Sequence, residues 1–143
     1  MELIDTHQHL IYRNEATYSW AKDIPALSQN DFTVKDYQNL TKDFNIIGTL
    51  FMECAVDDSD YKNESNFINS LMQDSENGIK GLILSIRPEN DNDFDQWLEE
   101  SKSLGVVGYR RVLHVMPDEL SQNDNFKQNV KKIGKLGKPY DLC

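Results

Sequence analysis

The sequence predicts an α/β fold built on parallel strands, and two features carry the prediction. Apolar, β-branched runs alternate with segments in which apolar residues recur at helical spacing. At the junctions between a helical pattern and the next strand stand Gly78, Gly105 and Gly137, where a residue tolerant of positive φ ends a helix. Regular strand–helix alternation implies parallel strands joined by right-handed crossovers, in an open sheet or in part of a barrel. With 143 residues and 38% hydrophobic content, the chain has the length and the apolar mass of one domain, residues 1–143.

The first strand runs from Leu3 to His7. A long polar and aromatic stretch follows from Leu10 to Phe32, carrying Tyr12, Tyr18, Trp20 and Pro25 without periodicity. A loop of that length after a strand often serves a site, and Trp20 either lines a pocket or anchors the loop. Thr33 reads as the N-cap of a helix over 34–44, with Asp36 as its capping-box partner. The run from Ile46 to Val56 is a second strand. Phe67, Ile68, Leu71 and Met72 then mark a helix, Ile79 to Ile86 a third strand, and Phe94, Trp97 and Leu98 a further helix. Val106 to His114 forms a fourth strand, Val115 to Leu120 a loop, Phe126, Val130 and Ile133 a last helix, and Pro139 to Cys143 a short fifth strand.

Composition excludes several functions. A net charge of −9 argues against nucleic-acid binding, which needs clustered Lys and Arg at phosphates. The uneven charge, acidic from Asp57 to Glu100 and lysine-rich from Lys127 to Lys138, is read as solvated helix faces. Two cysteines, Cys54 and Cys143, make no disulfide scaffold and fit a reducing cytoplasm. The longest clean apolar run, Ile46 to Met52, is too short to span a bilayer, and acidic Glu2 and Asp5 stand where a signal peptide would be basic. No Gly-rich phosphate loop or Gly-X-Ser-X-Gly elbow is present, which sets aside phosphoryl transfer and serine hydrolysis.

The chemistry concentrates at strand ends. His7 and His9, two residues apart on an extended backbone, project to one face while Gln8 points away. Two neutral imidazoles on one face make half of a metal site, or else two polar residues closing a strand. Parallel α/β folds gather ligand groups at the carboxyl ends of strands, which selects His7, His9, Glu53, Arg110, Arg111 and His114. Glu53, between Met52 and Cys54, is costly to bury unpaired, so a metal, a polar cavity or an arginine such as Arg110 must compensate it. Alternation groups Thr49, Phe51 and Glu53 on one face, and Gly108, Arg110, Val112 and His114 on one face. Arg110 suits a substrate carboxylate or carbonyl oxygen, whereas Arg111 should face the helix layer in a structural contact.

Ile4-Asp5-Thr6-His7-Gln8-His9-Leu10, Tyr18-Ser19-Trp20, Phe32-Thr33-Val34, Phe51-Met52-Glu53-Cys54-Ala55, Gly108-Tyr109-Arg110-Arg111-Val112-Leu113-His114 and Tyr140-Asp141-Leu142-Cys143, in this order and spacing, resemble the amidohydrolase superfamily. More narrowly they resemble its sugar-lactonase branch of TIM-barrel hydrolases, which includes fuconolactonase- and rhamnonolactonase-like enzymes. The resemblance implies the N-terminal half of a (β/α)8 barrel, with about five parallel strands, and hydrolysis of a sugar lactone by water attack on the ring ester. It places His7, His9 and Glu53 at a divalent metal, zinc first, although metal use varies across the branch and a metal-free site also fits. By the same resemblance Glu53, Arg110 and His114 are catalytic, and Arg110 and Trp20 meet the substrate.

The departure from the pattern is length. A TIM barrel needs about 250 residues, and this chain ends in the fifth strand, without the later histidines or the aspartate of the eighth strand. An open half barrel would leave apolar edges and favour a homo-oligomer through that face. Two other readings stand beside the lactonase: a non-catalytic α/β module that buries its open face against a partner, and a decarboxylase of the same superfamily.

Overall fold

A computed structural model describes residues 1–143. Five strands form a single parallel sheet: β1 (Leu3–Gln8), β2 (Ile46–Met52), β3 (Ile79–Ser85), β4 (Val106–Arg111) and β5 (Tyr140–Leu142). Between them lie α1 (Val34–Leu40), α2 (Tyr61–Met72), α3 (Phe94–Ser101), and the pair α4 (Asp118–Gln122) and α5 (Asp124–Lys135). The spatial order is β1-β2-β3-β4-β5, the same as the chain order. An open doubly wound sheet reverses its strand order at a switch point. No reversal occurs here, so the two architectures left open by alternation resolve to a curled half barrel.

Local chemistry explains the element ends. Thr33 caps α1 as expected: its Oγ1 accepts from the Asp36 N–H, and the Asp36 carboxylate accepts from the Thr33 N–H at 2.8 Å. Gly78 and Gly137 hold φ of 72° and 68°, the left-handed backbone that their junctions require. Helix α1 stops at Leu40, four residues short of the expected end, because the backbone turns at Thr41 before entering β2. The stretch Val115–Leu120, expected as a loop, contains the start of α4, which Pro117 introduces. A proline with φ near −60° is preorganised to precede a helix, and the five-residue element is too short to show apolar periodicity.

The core lies between the sheet and the helices. Phe51, Leu82, Leu84, Ile86 and Tyr109 from the strands and their ends belong to one buried cluster with Ile68, Phe94, Trp97 and Ile133 from the helices. The expected grouping of Phe51 with Glu53 on one face does not survive at the strand end. Phe51 is core, while Glu53, one residue beyond β2, turns toward a cavity. The long segment after β1 is tied down by an antiparallel bridge between Ile11 and Phe32, and Leu10, Ala16, Tyr18 and Ala21 are buried. By contrast Ile4, Leu40, Phe44 and Ile47 are large apolar side chains left exposed. No helix is long and apolar enough to cross a membrane.

Candidate active site

A cavity of about 690 Å³ opens at the carboxyl ends of the strands, and every site residue expected from the sequence lines it: His7, His9, Trp20, Glu53, Arg110 and His114. Strand ends converge there because parallel strands point the same way, so residues distant in sequence meet on one rim. The register of β1 against β2 slips between Asp5 and Gln8, within the histidine segment itself. Such irregularities re-aim side chains beside functional sites.

The two imidazoles do project together. His7 Nε2 and His9 Nε2 lie 3.1 Å apart, with the rings edge to face. His9 Nδ1 lies 3.0 Å from the Met52 carbonyl, a bond that assigns the proton to Nδ1 and leaves Nε2 as an acceptor facing His7 Nε2. Burial lowers the His9 pKa, and the His7 ring and Arg110 add to the effect against the Met52 hydrogen bond. A neutral imidazole whose second nitrogen is held by a backbone carbonyl is the form in which histidine binds metals. Asp5 fixes the segment from below, accepting the His7 N–H at 2.9 Å and the Tyr37 hydroxyl at 2.7 Å.

Glu53 is 1% exposed at its side chain. Its Oε2 accepts from the Ala55 N–H at 2.9 Å, and its Oε1, 3.5 Å from Arg110 Nε, has no hydrogen-bond partner. Ala55 holds a left-handed φ of 50°, a strain of about 1 kcal/mol for a residue with a Cβ. Glu64 of α2 steadies the same turn by accepting from the Cys54 N–H at 3.1 Å. Burial, and then the Glu53 carboxylate, push the Glu64 pKa up to about 8. Trp20 both lines the cavity and anchors its loop, donating from Nε1 to the Cys54 carbonyl at 2.8 Å.

Arg110 is buried with Nε and Nη1 unpartnered, while Nη2 donates to Cys143 Sγ at 2.8 Å. His114 is exposed at the rim, its Nδ1 3.4 Å from the same sulfur. Arg111 takes the structural place expected of it, with Nε and Nη2 both on Glu89 Oε1, at 2.9 and 2.8 Å.

The donor set suits a metal in part. His7 and His9 present two ring nitrogens to one point, but Glu53 does not join them, because its carboxylate is committed to the Ala55 N–H and faces Arg110. No group of three His, Cys, Asp or Glu side chains converges in this structure. Sequence reasoning overlooked Asp5, Glu64 and Cys143. Asp5 stands two residues before His7, so the alternation that paired the histidines also includes it. Glu64 lies four residues before Ile68 on the buried stripe of α2, a carboxylate at an apolar position. Gln8 points away from the histidine face as expected: it is buried and accepts from Thr49 Oγ1 at 2.9 Å.

No family model matches the chain, and no curated protein matches it. Solved structures do. An amidohydrolase from Burkholderia multivorans with bound zinc aligns with a TM-score of 0.78 at 17% identity, over 96% of this chain and 47% of its own. Amidohydrolase 2 from Bifidobacterium longum subsp. infantis aligns at 0.71 and 20% identity, over 99% and 51% respectively. A probable 2-pyrone-4,6-dicarboxylic acid hydrolase from Acinetobacter baumannii, with citric acid bound, aligns at 0.72 and 16%, over 99% and 49%. The likeness shows the fold, a half βα-barrel of the kind these structures contain. The chain spans about half the length of these structures.

Proposed function

We propose that this chain provides the histidine-bearing half of a hydrolase site that opens a sugar lactone. The observation that carries the reading is the meeting of His7 Nε2 and His9 Nε2 at 3.1 Å in the same cavity as the Glu53–Arg110 pair. The amidohydrolases of like fold, one of them with bound zinc, support a hydrolase over an unrelated use of the fold. A divalent ion held by His7 and His9 supplies electrophilic polarisation of an ester carbonyl when bound.

The chain's own residues take the remaining roles. Arg110 offers its unpartnered N–H donors to the carbonyl oxygen of the lactone, where negative charge develops as water attacks. Glu53 Oε1, free of hydrogen bonds, accepts the proton of that water. The ring C–O bond then breaks, and the proton that Glu53 took from the water passes to the departing alkoxide by way of His114 at the rim. Trp20, half exposed, walls the cavity against the apolar face of a sugar ring. The exposed apolar side chains of Ile4, Leu40, Phe44 and Ile47 support association with a second copy or a second half barrel. The absence of a third converging ligand favours, as a second reading, a non-catalytic module completed by a partner.

The test is a pH-indicator screen of sugar lactones with the purified chain and added zinc. The lactonase reading expects one proton released per ring opened at neutral pH, with turnover lost in Glu53→Gln and His7→Ala. Carbon dioxide release from an aromatic acid instead would establish the decarboxylase. Turnover equal in the chain and both variants would overturn the assignment of the site.

A further inference from the structure

Cys143 lies against two cavity-lining residues, Arg110 and His114, and the hydrolytic reading leaves it unused. It is exposed, and β5 fixes it in place: its carbonyl accepts from the Leu113 N–H at 3.0 Å, extending the β4–β5 pairing. Its sulfur lies between two groups that assist a thiol. Arg110 Nη2 donates to it at 2.8 Å, and His114 Nδ1 stands 3.4 Å away. Arg110 is nine-tenths buried, and its Nε and Nη1 lack hydrogen-bond partners beside the sulfur. Buried donors left open in this way point to an oxygen-bearing ligand next to the thiol. Arg110 is itself flanked by the carboxylates of Glu53 and Asp141, 3.5 and 3.6 Å from its Nε. The two carboxylates offset the Arg110 charge, so no surplus of positive charge draws an anionic ligand, and the thiol is activated by proton transfer to His114.

We propose that Cys143 is a reactive thiol site for neutral electrophiles that carry a carbonyl or peroxide oxygen, with His114 as proton acceptor and Arg110 as the donor that holds both sulfur and oxygen. In alkylation the Cys143 proton passes to His114 Nδ1, the sulfur lone pair forms the S–C bond, and the halide leaves with the electrons of its bond to carbon. With a hydroperoxide the S–O bond forms as the O–O bond breaks. Sulfur is oxidised to the sulfenic acid, the peroxide is reduced, and the leaving oxygen departs protonated as water or an alcohol. The second thiol provides an internal contrast, because Cys54 is buried and donates to the Leu10 carbonyl, and its burial pushes its pKa up.

The experiment follows iodoacetamide labelling of the full chain at neutral pH by peptide mass, in buffer and in urea. The expected result is Cys143 labelling roughly tenfold faster in the folded chain than in urea, with Cys54 protected until unfolding. Iodoacetate, which is anionic, should lose that advantage because of Glu53 and Asp141. His114→Ala, a change at an exposed side chain, should bring the folded rate back toward the rate in urea. A folded rate no greater than the rate in urea, or one unchanged in His114→Ala, would overturn the proposal. Neither result depends on whether the chain hydrolyses lactones.

Discussion

Arg110 and Arg111 are neighbours at the end of β4 and are buried alike, yet they belong to two different regions of the molecule. Alternation sends Arg111 toward the helix side, where its fork closes on Glu89 with Asp58 at 3.7 Å. Arg87 joins Asp58 from the neighbouring strand end at 2.7 Å and lies over the Tyr61 ring. Arg110 faces the cavity, where Glu53 and Asp141 stand beyond good hydrogen-bond distance and two of its nitrogens are unfilled. A saturated arginine holds a fold together, whereas an unsaturated buried one costs stability and is kept for what it binds.

The largest loss should therefore come from Arg111. Arg111→Ala strands Glu89 in a largely buried place and is expected to cost about 4 kcal/mol in urea unfolding. Arg110→Ala leaves the buried Glu53 facing no cation but gives up no close hydrogen bond to it, and is expected to cost about 3 kcal/mol, the lower end for a broken buried pair. Equal losses in the two variants would erase the distinction between the regions.

Glu64 sharpens the comparison from the carboxylate side. Its folded pKa of about 8 lies above the ordinary 4.5, so between these values the folded chain holds a proton that the unfolded chain has lost. Stability from this group is complete below pH 4.5 and falls as the pH rises through 8. Glu64→Gln should match the parent near pH 4 and exceed it at pH 8 by on the order of 4 kcal/mol, read from thermal or urea unfolding at the two pH values. A pH-independent difference would show that Glu64 carries no displaced proton.

The smallest effect concerns the loop over the cavity. Trp20→Phe keeps an aromatic wall but removes the hydrogen bond to the Cys54 carbonyl, for about 1 kcal/mol. Faster hydrogen exchange confined to the loop and the Cys54 turn is the expected signature.

The helix-facing region was the more legible in the sequence, because burial writes itself as periodicity. Phe94, Trp97 and Leu98 announced α3, and Thr33 with Asp36 announced the start of α1. The cavity was legible only where alternation carries through, as with His7 and His9 or Arg110 and His114. It failed at Glu53, where the strand ends, since a left-handed residue such as Ala55 leaves no periodic trace. Cys143 could not be placed beside Arg110 and His114 from sequence, because β4–β5 pairing over a separation of 33 residues brings them together.

Native mass spectrometry with elemental analysis of the zinc-loaded chain tests the central claim most directly, that the histidine pair makes this cavity a site. The account predicts one zinc per chain, lost in the His7→Ala, His9→Ala double variant while the fold persists. Zinc retained in the double variant, or none bound by the parent chain, would contradict it.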